Sequence, residues 1–234
     1  MLLPGLMCDA SVWAPQVQAL GGRLSCVVPA WGERDSLPAM ARQVLAEAPA
    51  PRFALAGHSM GGRVALEVLR LAPERVSHLA LLDTGTHPLA GGEAGQKETA
   101  GRMALLDLAR SQGMRVMGRQ WLGGMVHPNL RDTPLFESML DMIERSSPAQ
   151  FAAQIRALLA RPDAAPLLDG IRCPTLVLTG RQDLWSPPAQ HAAMAQAIPG
   201  AVLSIVEDCG HMSTLEQAPA VNAALAAWLA RPAT

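Results

Sequence analysis

A serine flanked by glycines stands directly after an apolar segment of this 234-residue chain. In the stretch FALAGHSMGG, Gly57, Ser59 and Gly61 form a G-x-S-x-G pattern. The apolar residues before it predict a buried strand, and GRVALEVLR after it predicts a helix. A serine on a sharp turn from strand to helix presents its hydroxyl where a neighbouring base can activate it as a nucleophile. Glycines on both sides leave room where the two elements converge.

A nucleophilic serine needs a base and an acid that orients the base. In this setting they follow in the chain order Ser, Asp or Glu, His. His211 in EDCGHMS follows the last strand-like segment, and Asp183 in GRQDLWSP follows the one before it. Because active sites of open α/β sheets lie at the carboxyl ends of the strands, we expect Ser59, Asp183 and His211 to form a triad. Asp83 also ends a strand-like segment and is an alternative for the acid.

Two backbone N–H groups are predicted to bind the oxyanion that forms when a serine attacks a carbonyl carbon. Met60 stands at the start of the helix after Ser59, so its N–H is free to donate outward. The second donor should come from the loop after the first strand, GLMCDASVW, and we assign it to the N–H of Leu6. The alternative is a tight turn that contacts no ligand.

The elements that position these residues are read from short apolar segments that alternate with helical patterns. The strand-like segments are Leu2–Leu3, Ser25–Pro29, Phe53–Gly57, Val76–Asp83, Thr175–Thr179 and Val202–Val206. Continuous apolar segments of this kind suit strands that are covered on both faces. The alternation therefore predicts an α/β fold with about six mostly parallel strands and helices on both faces.

The alternation is interrupted between residues 87 and 165, where only helical patterns occur. We expect this segment to be a helical cap inserted into a core formed by residues 1–86 and 166–234. The substrate pocket should then lie between cap and sheet. Four residues are candidates for its lining: Trp121, Met125, Trp185 and Met212.

Composition excludes several classes of partner. Half of the residues are hydrophobic, and the net charge is −1 at pH 7, so no basic field is available for nucleic acid or an anionic membrane. No apolar stretch is long enough for a transmembrane helix. The four cysteines have neither disulfide nor zinc-site spacing. We expect a cytoplasmic protein with reduced thiols and a small-molecule substrate.

Four motifs in the correct order resemble the α/β-hydrolase superfamily over nearly the whole chain. LLPGLMCDASVW resembles the usual LLHG…W opening, with Pro4 where His is commoner, and GHSMGGRVAL resembles the nucleophile elbow. PTLVLTGRQDLWSPP resembles the acid loop, and VEDCGHMSTLEQAPAVNAAL resembles the histidine loop and last helix. The two earliest strands of the full fold have no counterpart here, so the resemblance implies either a compact α/β-hydrolase fold or a chain shortened at its N-terminus. It maps the triad to Ser59, Asp183 and His211.

The resemblance also implies an activity, and we expect a serine hydrolase of small to medium apolar carboxylic esters. It would act through an acyl-enzyme intermediate, without a metal or organic cofactor. Lactonases, enol-lactonases and pathway-specific hydrolases or lyases of carboxylated metabolites share the pattern and stay open. A non-catalytic ligand-binding protein that keeps the fold is a third interpretation.

Two further features bear on the choice of subfamily. Carbon–carbon bond hydrolases usually show HGxGPG in the first loop and Asn before the nucleophile, where this chain has PGLMCD and His58. Within the cap, Arg102, Arg115 and Arg119 could bind an anionic substrate. We expect these arginines to lie on a solvated face instead.

Overall fold

A computed structural model describes residues 1–22 and 24–233 of the chain. In this part of the chain the sheet has five parallel strands, each paired with the next in chain order. They are β1 (Leu2–Leu3), β2 (Phe53–His58), β3 (Val76–Leu82), β4 (Thr175–Gly180) and β5 (Val202–Val206). Because all pairs are parallel, the loops after the strands meet at one edge of the sheet.

The central strands are covered on both faces. In β3, Leu79, Ala80, Leu81 and Leu82 are all 0% exposed. Successive residues of a strand point to opposite faces, so helices must cover both sides of β3. The edge strand β5 differs, since Val202 is 49% exposed. The predicted parallel α/β sheet is therefore confirmed, with its core around β2, β3 and β4.

The prediction of a strand at Ser25–Pro29 is wrong. This segment is irregular, although the Val27 carbonyl accepts a hydrogen bond from the Leu2 N–H at 2.9 Å. A ladder does not extend from this contact, because β1 is only two residues long and Pro29 has no N–H to donate. The described sheet consequently has five strands rather than about six.

Helices surround the sheet. Among the described residues they are α1 (Ala14–Leu20), α2 (Leu37–Glu47), α3 (Met60–Leu71), α4 (Gly92–Gln112), α5 (Met114–Leu122), α6 (Pro134–Glu144), α7 (Pro148–Leu159), α8 (Pro188–Ala197), α9 (Ser213–Glu216) and α10 (Ala218–Leu229). Helix α2 packs on α3, which contacts β1, β2 and β3. Helix α1 packs on α10, which contacts β3, β4 and β5. Helix α8 contacts β4 and β5.

The four helices α4 to α7 separate β3 from β4 in the chain. Residues 87–165, all of them described, contain no strand. Side-chain caps define two of the helix starts: Thr133 Oγ1 accepts from the Phe136 N–H at 3.3 Å, and Ser147 Oγ accepts from the Gln150 N–H at 3.2 Å. Helix α5 packs against α4 and α6, and α7 packs against α4. The block therefore packs largely on itself between two adjacent strands.

Three further properties concern membrane insertion, metal binding and disulfide formation. Within residues 1–22 and 24–233, no helix combines the length and apolar character needed to cross a membrane. No three His, Cys, Asp or Glu side chains of the same residues are grouped to hold a metal ion. The four cysteines, Cys8, Cys26, Cys173 and Cys209, carry free thiols.

Two glycines allow β1, β2 and α3 to pack closely at the turn after β2. A Cβ on Gly57 would lie 2.3 Å from the Gly61 carbonyl oxygen, and a Cβ on Gly61 would lie 2.2 Å from the Leu3 carbonyl oxygen. Both obstacles are backbone atoms, which a rotamer change cannot move. Glycine is thus required by the approach of strand and helix, as the sequence pattern predicts.

We predict opposite stability changes for two Gly→Ala substitutions. Gly61→Ala should lower the free energy of unfolding by about 3 kcal/mol or more, because the new methyl group overlaps the backbone of β1. Gly101 lies in the exposed interior of α4, where an added Cβ meets nothing within 4 Å. Gly101→Ala should therefore raise the free energy of unfolding by up to about 1 kcal/mol. Urea denaturation measures both changes, and equal effects of the two substitutions would contradict the packing described.

Candidate active site

Ser59 occupies the turn between β2 and α3 with a strained backbone. Its φ is 54° and its ψ is −116°, a conformation that non-glycine residues rarely adopt. The Ser59 N–H donates to the Leu82 carbonyl at 2.9 Å, and the Ser59 carbonyl accepts from Thr84 Oγ1 at 2.7 Å. The backbone of the turn is therefore tied to β3 and to the residues just after it. This fixes the direction of the Ser59 side chain.

The structure brings Ser59, His211 and Asp183 together in one hydrogen-bonded chain. His211 Nε2 lies 2.8 Å from Ser59 Oγ, and His211 Nδ1 lies 2.8 Å from Asp183 Oδ2. His211 is 3% exposed and Asp183 is 1% exposed. The three residues come from loops after β2, β4 and β5, and these loops meet because the strands are parallel. A carboxylate on one ring nitrogen leaves the other free to accept the serine proton.

Asp183 is held as a carboxylate by the groups around it. Its Oδ1 atom accepts from the backbone N–H groups of Trp185 at 2.8 Å and Ser186 at 2.9 Å. Burial alone would raise the pKa of this carboxyl. The charge and hydrogen bond of His211, together with the two backbone donors, outweigh burial and lower the pKa below its usual range. Asp183 thus stays ionised beside the imidazole.

Asp83, the alternative acid, makes no hydrogen bond to His211. Its Oδ1 accepts from the Gly180 N–H at 3.2 Å, and its Oδ2 is hydrogen-bonded to Ser213 Oγ. Burial and the nearby charge of Asp183 raise the pKa of Asp83 well above its usual value. Because its two oxygens are bound to Gly180 and Ser213, Asp83 is not placed to orient the imidazole.

His58 stands beside Ser59 but contacts the backbone of His211. Its Nε2–H donates to the His211 carbonyl at 2.8 Å. Burial, followed by repulsion from His211, lowers the pKa of His58 to about 4, so the ring is neutral at physiological pH. Gly5 packs closely on the same ring, since a Cβ there would lie 2.9 Å from His58 Nδ1. His58 therefore links the turn, the first loop and the histidine loop.

Glu216 holds the histidine loop, and no motif in the sequence points to it. Its Oε2 accepts from the N–H groups of Gly210 at 2.9 Å and His127 at 2.8 Å, and its Oε1 accepts from the Met212 N–H at 2.7 Å. The residues on both sides of His211 are thus bound to one carboxylate. The His211 N–H donates to the Met125 carbonyl at 2.8 Å, which ties the loop to the segment after α5.

A cavity of about 300 Å³ opens at Ser59 and contains most of the predicted site residues. Besides Ser59 and His211, its lining includes Leu6, Met60, Trp121, Met125 and Trp185. Trp185 is 45% exposed, and its ring centroid lies 6.4 Å from that of His211. Met212 does not line this cavity: it is 1% exposed in the hydrophobic core. The turn of the histidine loop places His211 at the cavity and directs Met212 away from it.

Both predicted oxyanion donors are placed at this cavity by their backbones. Met60 is the first residue of α3, so its N–H has no partner one turn earlier in the helix. Leu6 lies in the loop after β1, where the Cys8 N–H donates to the Gly5 carbonyl at 3.2 Å. The next N–H, that of Met7, donates to Gln154 Oε1 of α7 at 2.9 Å. These two bonds fix the path of the loop beside Ser59.

Three arginines also line this cavity. The sequence interpretation placed Arg102 on a solvated face, but the structure places it in the lining. Arg63 and Arg161 line the cavity as well, and no sequence motif had indicated either of them. Arg115 and Arg119 lie outside it. Their guanidinium groups form ion pairs with acidic residues of α6, with Glu137 shared at 2.5 Å and 2.7 Å. Arg63 had one available signal, because it follows Ser59 by four residues on a predicted helix and such residues share a face.

The fold and the site define the class of protein. A parallel sheet whose strand ends carry a strained serine, a histidine and an aspartate is typical of α/β hydrolases. The chain matches the model of the alpha/beta hydrolase family over residues 1–224. The chain therefore belongs to the alpha/beta hydrolase family and is a hydrolase of that family.

Individual relatives differ in the reactions that their names describe. A 2-hydroxy-6-oxononadienedioate/2-hydroxy-6-oxononatrienedioate hydrolase of Escherichia coli is 27% identical over 265 aligned residues, which cover 99% of this chain and 87% of the relative. A thermophilic esterase of Thermogutta terrifontis, solved with malate bound, is 28% identical with a TM-score of 0.83, covering 97% and 88% of the two chains. The fold is shared with an enol-lactonase of Burkholderia xenovorans LB400, which is 24% identical with a TM-score of 0.80. This match covers 98% of the present chain and 90% of the enol-lactonase.

We predict that Asn substitutions separate the two aspartates. Asp183→Asn should lower kcat by about 10⁴-fold, because the amide cannot hold the imidazole in the required tautomer. Asp83→Asn replaces a carboxyl that makes no hydrogen bond to His211 with a neutral group of the same shape, and kcat should stay within about tenfold. Steady-state hydrolysis of a 4-nitrophenyl ester measures both. A larger loss in Asp83→Asn than in Asp183→Asn would reverse the assignment of the acid.

Proposed function

We propose that this chain is a serine hydrolase that cleaves carboxylic esters through an acyl-enzyme intermediate. The observation that carries the proposal is the chain of two 2.8 Å contacts from Ser59 Oγ through His211 to Asp183. A buried histidine with a carboxylate on one nitrogen and a serine hydroxyl on the other has the arrangement that general-base catalysis requires. The strained turn at Ser59 supports the same role.

The reaction proceeds in two halves at one site. Ser59 Oγ attacks the ester carbonyl carbon while His211 Nε2 takes the serine proton, and Asp183 stabilises the imidazolium that results. The N–H groups of Leu6 and Met60 bind the negative oxygen of the tetrahedral intermediate. His211 then gives the proton to the departing alkoxide, which leaves an acyl group on Ser59. Water repeats the sequence, with His211 as its base, and releases the carboxylic acid.

Two neighbouring cavities support a substrate with an apolar part. A second cavity, of about 620 Å³, shares Leu6, Trp121 and Trp185, and also Glu98 and Arg102, with the first, and it continues along Leu105 and Phe151. Apolar and aromatic linings of this kind bind acyl or alcohol groups by removing their surface from water. Since α4, α5 and α7 supply much of this lining, we assign residues 87–165 as the cap and residues 1–86 and 166–234 as the core.

A hydrolase of carboxylated esters or lactones is the second candidate. The arginines in the first cavity favour it, since, among the described residues, three guanidinium groups line this cavity with only two acidic side chains, Asp83 and Glu98. The name of the E. coli relative describes a dioate substrate, and the Thermogutta esterase was solved with malate bound, so both relatives are linked to dicarboxylates. These links support an acidic substrate for the present chain as well.

We predict that Ser59→Ala abolishes both ester hydrolysis and labelling by a fluorophosphonate probe. Loss of the nucleophile should reduce kcat by about 10⁶-fold, to the level left by binding and the oxyanion donors. Ser138→Ala is the matched control, because Ser138 lies on the exposed side of α6, away from the cavity. The control should label and turn over like the wild type. Persistent ester hydrolysis by folded Ser59→Ala protein would refute the proposed nucleophile.

A further inference from the structure

Three arginines and one glutamate gather on one side of the cavity that contains Ser59. Arg63 lies on α3, Arg102 and Glu98 lie on α4, and Arg161 follows α7. Three separate elements therefore direct guanidinium groups into a single small space. Arg102 is 16% exposed and Arg161 is 8% exposed by side chain, so little water reaches them.

Glu98 compensates only part of this charge. Its carboxylate lies 2.7 Å from Arg161 Nη1 and 2.9 Å from Arg102 Nη2. Burial would raise the pKa of Glu98, but the hydrogen bonds and charges of both arginines lower it, so the carboxyl is ionised. The single negative charge of Glu98 is therefore shared between the guanidinium groups of Arg102 and Arg161. Asp83 lines the same cavity, but burial and the nearby charge of Asp183 raise its pKa, which disfavours a second negative charge.

Arg63 lacks an acidic partner within the described part of the chain. Its Nη1 donates to the His87 carbonyl at 2.9 Å, and no described carboxylate oxygen lies within 4.0 Å of its guanidinium nitrogens. Burial, and then repulsion from Arg161, lowers the pKa of Arg63 to about 9. A cation in such surroundings is costly, and an anion placed beside it would remove that cost.

We propose that Arg63, Arg102 and Arg161 bind a carboxylate of the substrate while Ser59 attacks its ester bond. This inference rests on the serine-hydrolase function proposed above and narrows its substrate to carboxylated esters or lactones. Guanidinium groups are suited to the task, because their planar donor pairs match the two oxygens of a carboxylate. Three arginines and one glutamate leave the cluster with two uncompensated positive charges. One substrate carboxylate would neutralise only one of these charges.

The size of the cavity limits the size of the substrate. Arg63 and Ser59 both line a cavity of about 300 Å³. A carboxylate bound at Arg63 is therefore separated from the scissile carbonyl by a short chain. Trp121 and Met125 line the same cavity and leave the remainder of the substrate an apolar surface. The substrate class is a short ester or lactone with one acidic end.

Matched pairs of esters test this inference in the full-length protein. Monoethyl glutarate and ethyl valerate differ only in a carboxylate for a methyl group on the acid side. The pair 4-(butyryloxy)butanoate and butyl butyrate makes the same exchange on the alcohol side. For at least one pair, the wild type should prefer the carboxylated ester in kcat/KM. Arg63→Gln should lower that preference by about 10- to 100-fold, the range expected for losing a charge-assisted hydrogen bond.

Two variants keep the result interpretable. Arg63→Lys retains the charge without the paired donors, so its preference should lie between those of the wild type and Arg63→Gln. Arg115→Gln removes a guanidinium that is paired with Glu137, Asp141 and Glu144 on the surface, and it should leave the preference unchanged. Equal effects of Arg63→Gln and Arg115→Gln would overturn the inference, as would a wild type that favours the neutral ester in both pairs.

The outcomes also separate this inference from the function on which it rests. Hydrolysis that depends on Ser59 but shows no preference for a carboxylate would retain the serine hydrolase and remove the anion site. Hydrolysis that continues in Ser59→Ala would remove the serine-hydrolase function itself. In that case, competition of glutarate with the substrate in wild-type protein, weakened in Arg63→Gln, would still support the anion site, and its absence would overturn it.

Discussion

The backbone of Ser59 is the constraint on which the arrangement of the site depends. A φ of 54° with a ψ of −116° costs about 1–3 kcal/mol for a residue with a side chain. The turn persists because β2 is locked between β1 and β3 in the interior of the sheet and α3 begins immediately after Ser59. Gly57 and Gly61 permit this approach, and Leu82 and Thr84 hold the turn by hydrogen bonds. The turn thus places the Ser59 hydroxyl above the strand ends, where the loops that carry Asp183 and His211 also meet.

Buried polar groups behind the turn position His211 and shift the pKa values of two nearby aspartates. Glu216 accepts from the N–H groups on both sides of His211, and His58 donates to the His211 carbonyl, so His211 is held by its own backbone. His211 and two backbone donors outweigh burial and lower the pKa of Asp183. Burial and the charge of Asp183 raise the pKa of Asp83, despite its hydrogen bonds with Ser213 and Gly180. Of the two aspartates, Asp183 is the one hydrogen-bonded to the imidazole.

Most of the fold could be predicted from sequence because its signals are local. The elbow, the strand ends and the chain order of Ser59, Asp183 and His211 are visible as short motifs, and the apolar segments reveal the covered strands. Pairing between strands is not local, so Ser25–Pro29 resembled a strand although it does not form one. Met212 was a candidate for the pocket lining, but its side chain lies in the hydrophobic core while His211 lines the cavity. Glu216 left no signal, since its partners are backbone N–H groups. Arg63 and Arg161 gain a common role only when α3 and the end of α7 meet.

The central claim, that Ser59 forms a covalent acyl-enzyme, can be measured directly. A slowly hydrolysed ester is mixed with the protein, the reaction is quenched in acid at successive times, and the digested protein is examined by mass spectrometry. We expect the mass of the acyl group on the peptide that contains Ser59, and we expect this acyl group to form and disappear at rates that match turnover. Turnover without any acylated peptide, or with a kinetically competent acyl group on another residue, would contradict it.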